Sequence, residues 1–339
     1  MNMPARDLLG RPLKDLRISV TDRCNFRCTY CMPSEIFGEK YHFLQRSDVL
    51  TFEEITRLTR IFTNLGVSKV RITGGEPLVR RDVHKLVSQL KNIKGIDDLT
   101  LTTNGFLLAE QVEKLCNAGL NRVTVSLDSL DNEIFGKING KGYTPDKVLA
   151  GIEAAEFYGL PVKINAVIER GVNDHEVLDL VSKFKGSGHI LRFIEYMDVG
   201  NVNGWKLDQV VSSSELHQLI NDIYPIEPID PNYLGEVAQR WRFLDGDGEI
   251  GFISSITQPF CQDCSRARLS PEGSFFTCLF ASTGIDLKTP LRDGKTDPEL
   301  TNHILKAWGM RTDRYSEIRG SLTDQSRSST KIEMFQIGG

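Results

Sequence analysis

The fold class this chain predicts is α/β, a partial (β/α)6 TIM-like barrel followed by a smaller α+β domain, and three observations carry it. Strand-like and helix-like stretches alternate from residue 16 to about residue 196. The strand-like stretches alternate polar and apolar residues instead of being apolar throughout. Past Asp198 the rhythm stops at a turn-rich segment, 199–204, and short strands follow with little helix between them (237–243, 250–255, 268–269 and 275–277). A chain of 339 residues has room for two domains at roughly 150 residues each. The expected division is 1–198 and 199–339.

The strands fall at 16–20, 69–73, 99–103, 122–127, 162–168 and 190–196, with helical patterns at 52–65, 83–90, 108–118, 144–157 and 176–184 between them. That order predicts parallel strands with crossover helices; an open doubly wound sheet is the alternative. Parallel strands covered on both faces usually read as continuous apolar runs. Here Arg17 and Ser19, Lys69, Arg71 and Thr73, Thr100 and Thr102, Thr124 and Ser126, Lys163 and Asn165, and Arg192 interrupt the Leu, Ile and Val residues. Since side chains alternate across a strand, the apolar face packs under the helices and the polar face lines a lumen. Cations there would each cost several kcal/mol if dry and unpaired. An anion at contact distance offsets about 4 kcal/mol of that at an effective dielectric near 20. The lumen is expected to hold a polyanion, unless carboxylates such as Asp128 or Glu76 pair with the cations instead.

Directly after the first strand, Cys24-Asn25-Phe26-Arg27-Cys28-Thr29-Tyr30-Cys31 places three thiols within eight residues. Soft ligands this close converge on a metal. A closed zinc tetrahedron needs a fourth ligand, and the nearest His, His42, is eleven residues on. A 4Fe–4S cluster on three Cys would leave one iron open. Zinc completed from afar, or buried cysteines acting as small hydrophobes, remain alternatives. After the second strand, Thr73-Gly74-Gly75-Glu76-Pro77 lets backbone approach a ligand closely and then stops the strand.

In the second domain Cys261-x2-Cys264-x13-Cys278 again offers three thiols without a nearby fourth ligand. A zinc knuckle and a cluster are both open on this spacing. Arg266 and Arg268 alternate on one face beside it, a disposition suited to bidentate phosphate recognition. Cys116, late in a helix, is expected in the core. The C-terminal glycines, Gly338 and Gly339, would ordinarily fray.

Composition narrows the classes further. The net charge of −4 counts against nucleic-acid binding. No apolar run of about 18 residues predicts a membrane span. Residues 1–7 lack the apolar stretch of a secretory signal, and seven Cys in short motifs fit a reducing compartment, so a cytoplasmic location is expected. There is no Gly-x4-Gly-Lys-Ser/Thr loop and no strand-linked Gly-x-Gly-x-x-Gly, and His175-Glu176 lacks the second His of a zinc protease.

The Cys-x3-Cys-x2-Cys pattern with Tyr30 before its last Cys resembles the radical S-adenosylmethionine enzymes. Thr102-Thr103-Asn104-Gly105, Arg192-Phe193-Ile194-Glu195-Tyr196-Met197, Cys264-Ser265-Arg266-Ala267-Arg268 and the terminal Gly-Gly extend the likeness over nearly the whole chain. Together they resemble the GTP 3′,8-cyclases of molybdenum cofactor biosynthesis. The resemblance implies two 4Fe–4S clusters, on Cys24, Cys28 and Cys31 and on Cys261, Cys264 and Cys278. It implies S-adenosylmethionine bound near Tyr30, Gly75, Ser126 and Met197, with the Gly75 segment receiving the amino group. It puts GTP on Arg17, Arg71, Thr102, Lys163, Arg266 and Arg268, to which strand phase adds Lys69 and Arg192. Turnover is expected to need Arg17, Arg266, Arg268, Gly338 and Gly339. The implied reaction is cleavage of S-adenosylmethionine, removal of the ribose 3′ hydrogen and closure of the 3′,8 bond. The implied partners are an electron donor and the next-step cyclic pyranopterin monophosphate synthase, for a monomer or homodimer. The competing expectations are a peptide-modifying radical enzyme with an auxiliary cluster, and a zinc-stabilised nucleic-acid-binding module.

Overall fold

The structure, a computed structural model, describes residues 4–233, 235–319 and 331–338. Strand–helix alternation holds through the first half: β1 (Asp15–Ser19), α1 (Phe52–Asn64), β2 (Lys69–Thr73), α2 (Val83–Lys91), β3 (Asp98–Thr103), α3 (Leu108–Asn117), β4 (Arg122–Ser126), α4 (Asn132–Asn139), α5 (Asp146–Phe157), β5 (Val162–Ile168), α6 (Val177–Phe184) and β6 (Ile190–Glu195). α1 shows how sequence makes such a helix. Thr51 and Glu54 close a capping box at its start, and Ile55, Leu58, Ile61 and Phe62 form one buried stripe. α4 is an addition to the expected pattern; Asp131 starts it by accepting the Glu133 and Ile134 N–H groups.

β1 to β6 pair in sequence order and all in parallel. A doubly wound sheet would reverse its strand order at a switch point, and this one does not. Apolar residues of these strands, such as Leu16, Ile18, Val70, Ile72, Leu101 and Val123, are fully buried in the main core. Their polar neighbours, other than the buried Ser19, Thr100 and Thr124, face one cavity of about 710 Å³ that β1 to β6 all help to line. The sheet therefore curls around that space as a partial barrel. β1 and β6 do not pair with each other; each carries a further strand on its free edge.

Those further strands come from the C-terminal part: β7 (Ile226–Ile229), β8 (Gln239–Phe243), β9 (Glu249–Ile253), β10 (Arg266–Leu269), β11 (Ser274–Phe276) and β12 (Ile285–Asp286). β9 joins β6 in parallel, and β10 joins β1 in parallel. The resulting sheet of twelve strands runs β12-β11-β10-β1-β2-β3-β4-β5-β6-β9-β8-β7. This part also holds more helix than expected: α7 (Ser213–Asn221), α8 (Lys288–Arg292), α9 (Asp297–Gly309), α10 (Tyr315–Ile318) and, at the end, α11 (Met334–Ile337). Capping boxes at Ser212/Glu215 and Thr296/Glu299 start α7 and α9. Leu300, Ile304 and Trp308 of α9 are all fully buried.

Candidate functional site

Strand polarity places the two thiol triplets. Cys24, Cys28 and Cys31 lie in the loop after the C-terminal end of β1. Cys264 lies just before the N-terminal end of β10, which runs parallel to β1 with Asp15 opposite Arg266. Cys278 follows β11, antiparallel to β10, and so returns to that same end. The triplets thus sit at opposite ends of the cavity, and all six cysteines line it.

The first loop is held by the segment after β2. Gly75 N–H donates to Thr21 O and Glu76 N–H to Arg23 O, each at 2.8 Å. A Cβ on Gly75 would lie 2.4 Å from the Arg23 carbonyl oxygen, so only glycine lets the two backbones pack this closely. Tyr30 donates its hydroxyl to Asp128 Oδ2 at 2.6 Å, and Asp128 Oδ1 accepts from Val167 N at 2.8 Å. Burial raises Asp128 to about 6.

Between the triplets lies a row of guanidinium groups. Arg17 is in register with Arg268 on one side and Arg71 on the other, on adjacent strands. At a strand spacing of about 4.8 Å and an effective dielectric near 20, each adjacent pair repels by roughly 3 kcal/mol. Burial, then Arg268 and Arg71, lowers Arg17 well below its ordinary value. Burial likewise lowers Arg268 to about 10, Arg192 to about 9, and Lys69 and Lys163 to about 8. Asp98 pairs with Arg122 at 2.6 Å and stands 3.8 Å from Lys69. Among the described residues Arg17, Arg71, Lys163, Arg192, Arg266 and Arg268 form no ion pair, and the Nε atoms of Arg17, Arg71 and Arg192 are buried without a hydrogen bond. Glu76 and Asp128, the carboxylates expected as alternative partners, are engaged elsewhere. Arg71 instead donates to Thr102 at 2.9 Å and Thr124 at 3.2 Å.

Tyr30, Gly75, Ser126 and Met197 line the same cavity on the side of the first triplet, and Lys69, Arg71, Thr102, Lys163, Arg192, Arg266 and Arg268 line the rest with Arg17. The chain's last turn closes one wall. Phe335 packs against Phe37 at 4.9 Å between ring centres. Ile337 O accepts from Arg268 Nη1 at 3.2 Å. Gly338, with φ +71°, has its Cα so close to Thr73 that a Cβ would meet Thr73 Cγ2 at 2.1 Å. Gly339 lies outside the described residues. Sequence reasoning did not single out Arg122, Tyr233 or Arg311, which also line the cavity. Arg122 shares the phase of Thr124 and Ser126, so alternation points to it as well.

The donor sets fit iron–sulfur clusters. Among the described residues no group of three or more His, Cys, Asp or Glu side chains is placed to hold a single metal ion. Among the described residues neither triplet has the fourth donor that closes a zinc site, and both open onto a ligand-sized cavity. Burial raises Cys24 to about 12, Cys278 to about 11, and Cys28 and Cys31 as well. Such thiols lose their protons to a metal rather than to water. Burial also acts on Cys264, but the charges of Arg266 and Arg311 bring it down to about 6.

Comparison with known proteins agrees with this geometry. The Radical SAM superfamily pattern matches residues 18–184, and the Molybdenum Cofactor Synthesis C pattern matches 189–317. The structure of Streptococcus suis SuiB bound to S-adenosylmethionine superposes with a TM-score of 0.61 at 18% identity, over 93% of this chain and 69% of that one, a likeness of fold. Curled parallel sheet and open-sided thiol triplet together define a radical S-adenosylmethionine enzyme. Proteins named GTP 3′,8-cyclase from Acidothermus cellulolyticus and Xanthomonas axonopodis are each 51% identical, over 100% of both chains. One from Staphylococcus epidermidis is 48% identical over 98% of both. The chain belongs to the GTP 3′,8-cyclase family.

Proposed function

We propose that the chain converts GTP to (8S)-3′,8-cyclo-7,8-dihydroguanosine 5′-triphosphate, the first step of molybdenum cofactor biosynthesis, in the cavity between the two triplets. The single observation that carries this reading is the row Arg268–Arg17–Arg71, cationic and, among the described residues, without carboxylate partners. Cys24, Cys28 and Cys31 would hold a 4Fe–4S cluster that with S-adenosylmethionine would supply the radical, and Cys261, Cys264 and Cys278 would hold a second cluster at the guanine end of the cavity. The row binds the triphosphate, with Lys69, Lys163, Arg192 and Arg266 completing its charge. The Thr102 hydroxyl keeps Arg71 in line. Tyr30, Gly75, Ser126 and Met197 seat S-adenosylmethionine. Gly338 and Gly339 bring the tail to the reacting end, where Arg268 holds the Ile337 carbonyl.

We place the domain boundary at residue 198, a short way inside the second family match, which begins at residue 189. A low-potential donor supplies electrons, and the product passes to cyclic pyranopterin monophosphate synthase. Among the described residues no helix is long and apolar enough to cross a membrane. All seven cysteines are free, which favours a reducing cytoplasm for a chain working as monomer or homodimer. Arg17→Ala and Arg268→Ala should each weaken GTP binding at least about tenfold, roughly 1.4 kcal/mol. Cleavage of S-adenosylmethionine by dithionite-reduced protein should persist in both. Anaerobic binding titrations decide; unaltered GTP affinity removes the triphosphate assignment.

A further inference from the structure

The second triplet is backed by a buried ion network that none of the roles above uses. Asp7, in the loop before β1, has a side chain 0% exposed and bonds two guanidinium groups, Arg11 Nε at 2.6 Å and Arg311 Nη1 at 3.3 Å. Arg311, just past α9, is 4% exposed. Its Nη1 donates to the Cys264 carbonyl at 2.7 Å and its Nη2 to the Cys264 sulfur at 3.3 Å. The Trp308 ring lies 4.6 Å from its carbon centre. Asp313 approaches Arg311 Nε at 3.4 Å while also accepting the Thr277 hydroxyl at 2.6 Å. Arg11 completes the frame by donating to the carbonyls of Cys261 at 2.9 Å and Asp313 at 2.7 Å. One prong of the Arg311 fork is thereby aimed at a ligand sulfur and prevented from swinging away.

The first triplet is solvated differently by the protein. Cys24 receives the Phe26 N–H at 3.4 Å and the Asn104 amide at 3.8 Å. Arg27, on the same loop, donates to the carbonyl oxygens of Cys24, Phe26 and Phe37 and not to sulfur.

We propose that Arg311, fixed by Asp7, is a positioning residue that raises the reduction potential of the cluster on Cys261, Cys264 and Cys278, an assignment that rests on the two-cluster reading above. One-electron reduction lowers the cluster's charge by one. A buried cation donating to a ligand sulfur stabilises the reduced form more than the oxidised form, so the potential rises. Hydrogen bonds and charge near the sulfurs are established means of setting such potentials.

The test is a redox titration with dithionite, followed by electron paramagnetic resonance, on the full chain reconstituted anaerobically with iron and sulfide. A counterpart with Cys24, Cys28 and Cys31 changed to Ala assigns the second couple. Arg311→Gln is expected to shift that couple downward by at least a tenfold change in the one-electron equilibrium, about 59 mV, and to leave the first in place. Arg311→Lys, which keeps the charge but not the fork, should fall between. An unmoved second couple overturns the proposal, and so do equal shifts of both couples. Loss of the second cluster's iron from both variants overturns it too, because Arg311 would then hold the cluster instead of tuning it. Absence of any iron–sulfur signal in the unaltered chain would sink the two-cluster reading itself.

Discussion

Glu76 is a carboxylate met by donors in a dry setting. Its Oε1 accepts from Leu78 N at 2.9 Å and Thr103 Oγ1 at 2.7 Å, and its Oε2 from Asn104 N at 2.7 Å. Burial outweighs these donors and raises it to about 7. A carboxyl whose folded value exceeds the unfolded one, about 4.3, contributes stability that is complete below that value and is lost as pH rises through the folded value. Glu76→Gln cannot titrate. The stability of the parent relative to this variant should therefore fall by roughly 3 kcal/mol between about pH 4.5 and about pH 7.5. Urea titrations at stepped pH measure it, and parallel profiles would contradict it. Individual residues differ in how far the sequence discloses them. Arg17, Arg71 and Lys163 are legible because a strand has a period of two and their neighbours are aliphatic. Arg311 carries no such signal, since its partners Asp7 and Cys264 come from remote segments. Gly75 shows a subtler gap: the expectation was room for a ligand, and the closest atom to a Cβ there belongs to Arg23.

Among the elements, α11 depends most on one small residue beyond it. Gly338 combines a positive φ with contact against Thr73, so Gly338→Ala meets both a backbone penalty of about 1–2 kcal/mol and a clash. The tail should shift, the Arg268–Ile337 bond should break, and cyclised product should fall at least about tenfold, a barrier increase of roughly 1.4 kcal/mol. 5′-Deoxyadenosine release, followed beside product by chromatography, should fall much less; equal losses would contradict the tail's part in closure. The helices show what the pattern of residues did and did not make visible. β1 to β6 and their crossover helices stood out by alternation. α7 and α9 did not, although Ser212/Glu215 and Thr296/Glu299 are capping boxes plain in the sequence. Their apolar stripes are short and broken by polar residues, so strand-like stretches nearby dominated the expectation.

For the molecule as a whole, the sheet is the governing fact. β9 and β10 extend it on opposite edges, so the C-terminal part cannot leave without stripping both flanks of the barrel. Unfolding in urea, followed anaerobically on reconstituted protein, should give coincident transitions by tryptophan emission and far-UV circular dichroism. The three tryptophans, Trp205, Trp241 and Trp308, all lie past residue 198, and the indoles of Trp205 and Trp308 donate to the Tyr196 and Arg11 carbonyls, so their emission reports on that part and on its docking to the barrel. A separate earlier fluorescence transition would show that the C-terminal part unfolds by itself.

The parallel register of β1 and β10 also makes the cavity a gauge. β1 spans five residues, about 16 Å at roughly 3.3 Å each. One sulfur cage stands beyond each end and the arginine row lies across the middle. A free nucleoside brings no phosphate to that row, and inorganic triphosphate brings no base to the second cage. Selection in such a vessel is by span as much as by the identity of the base.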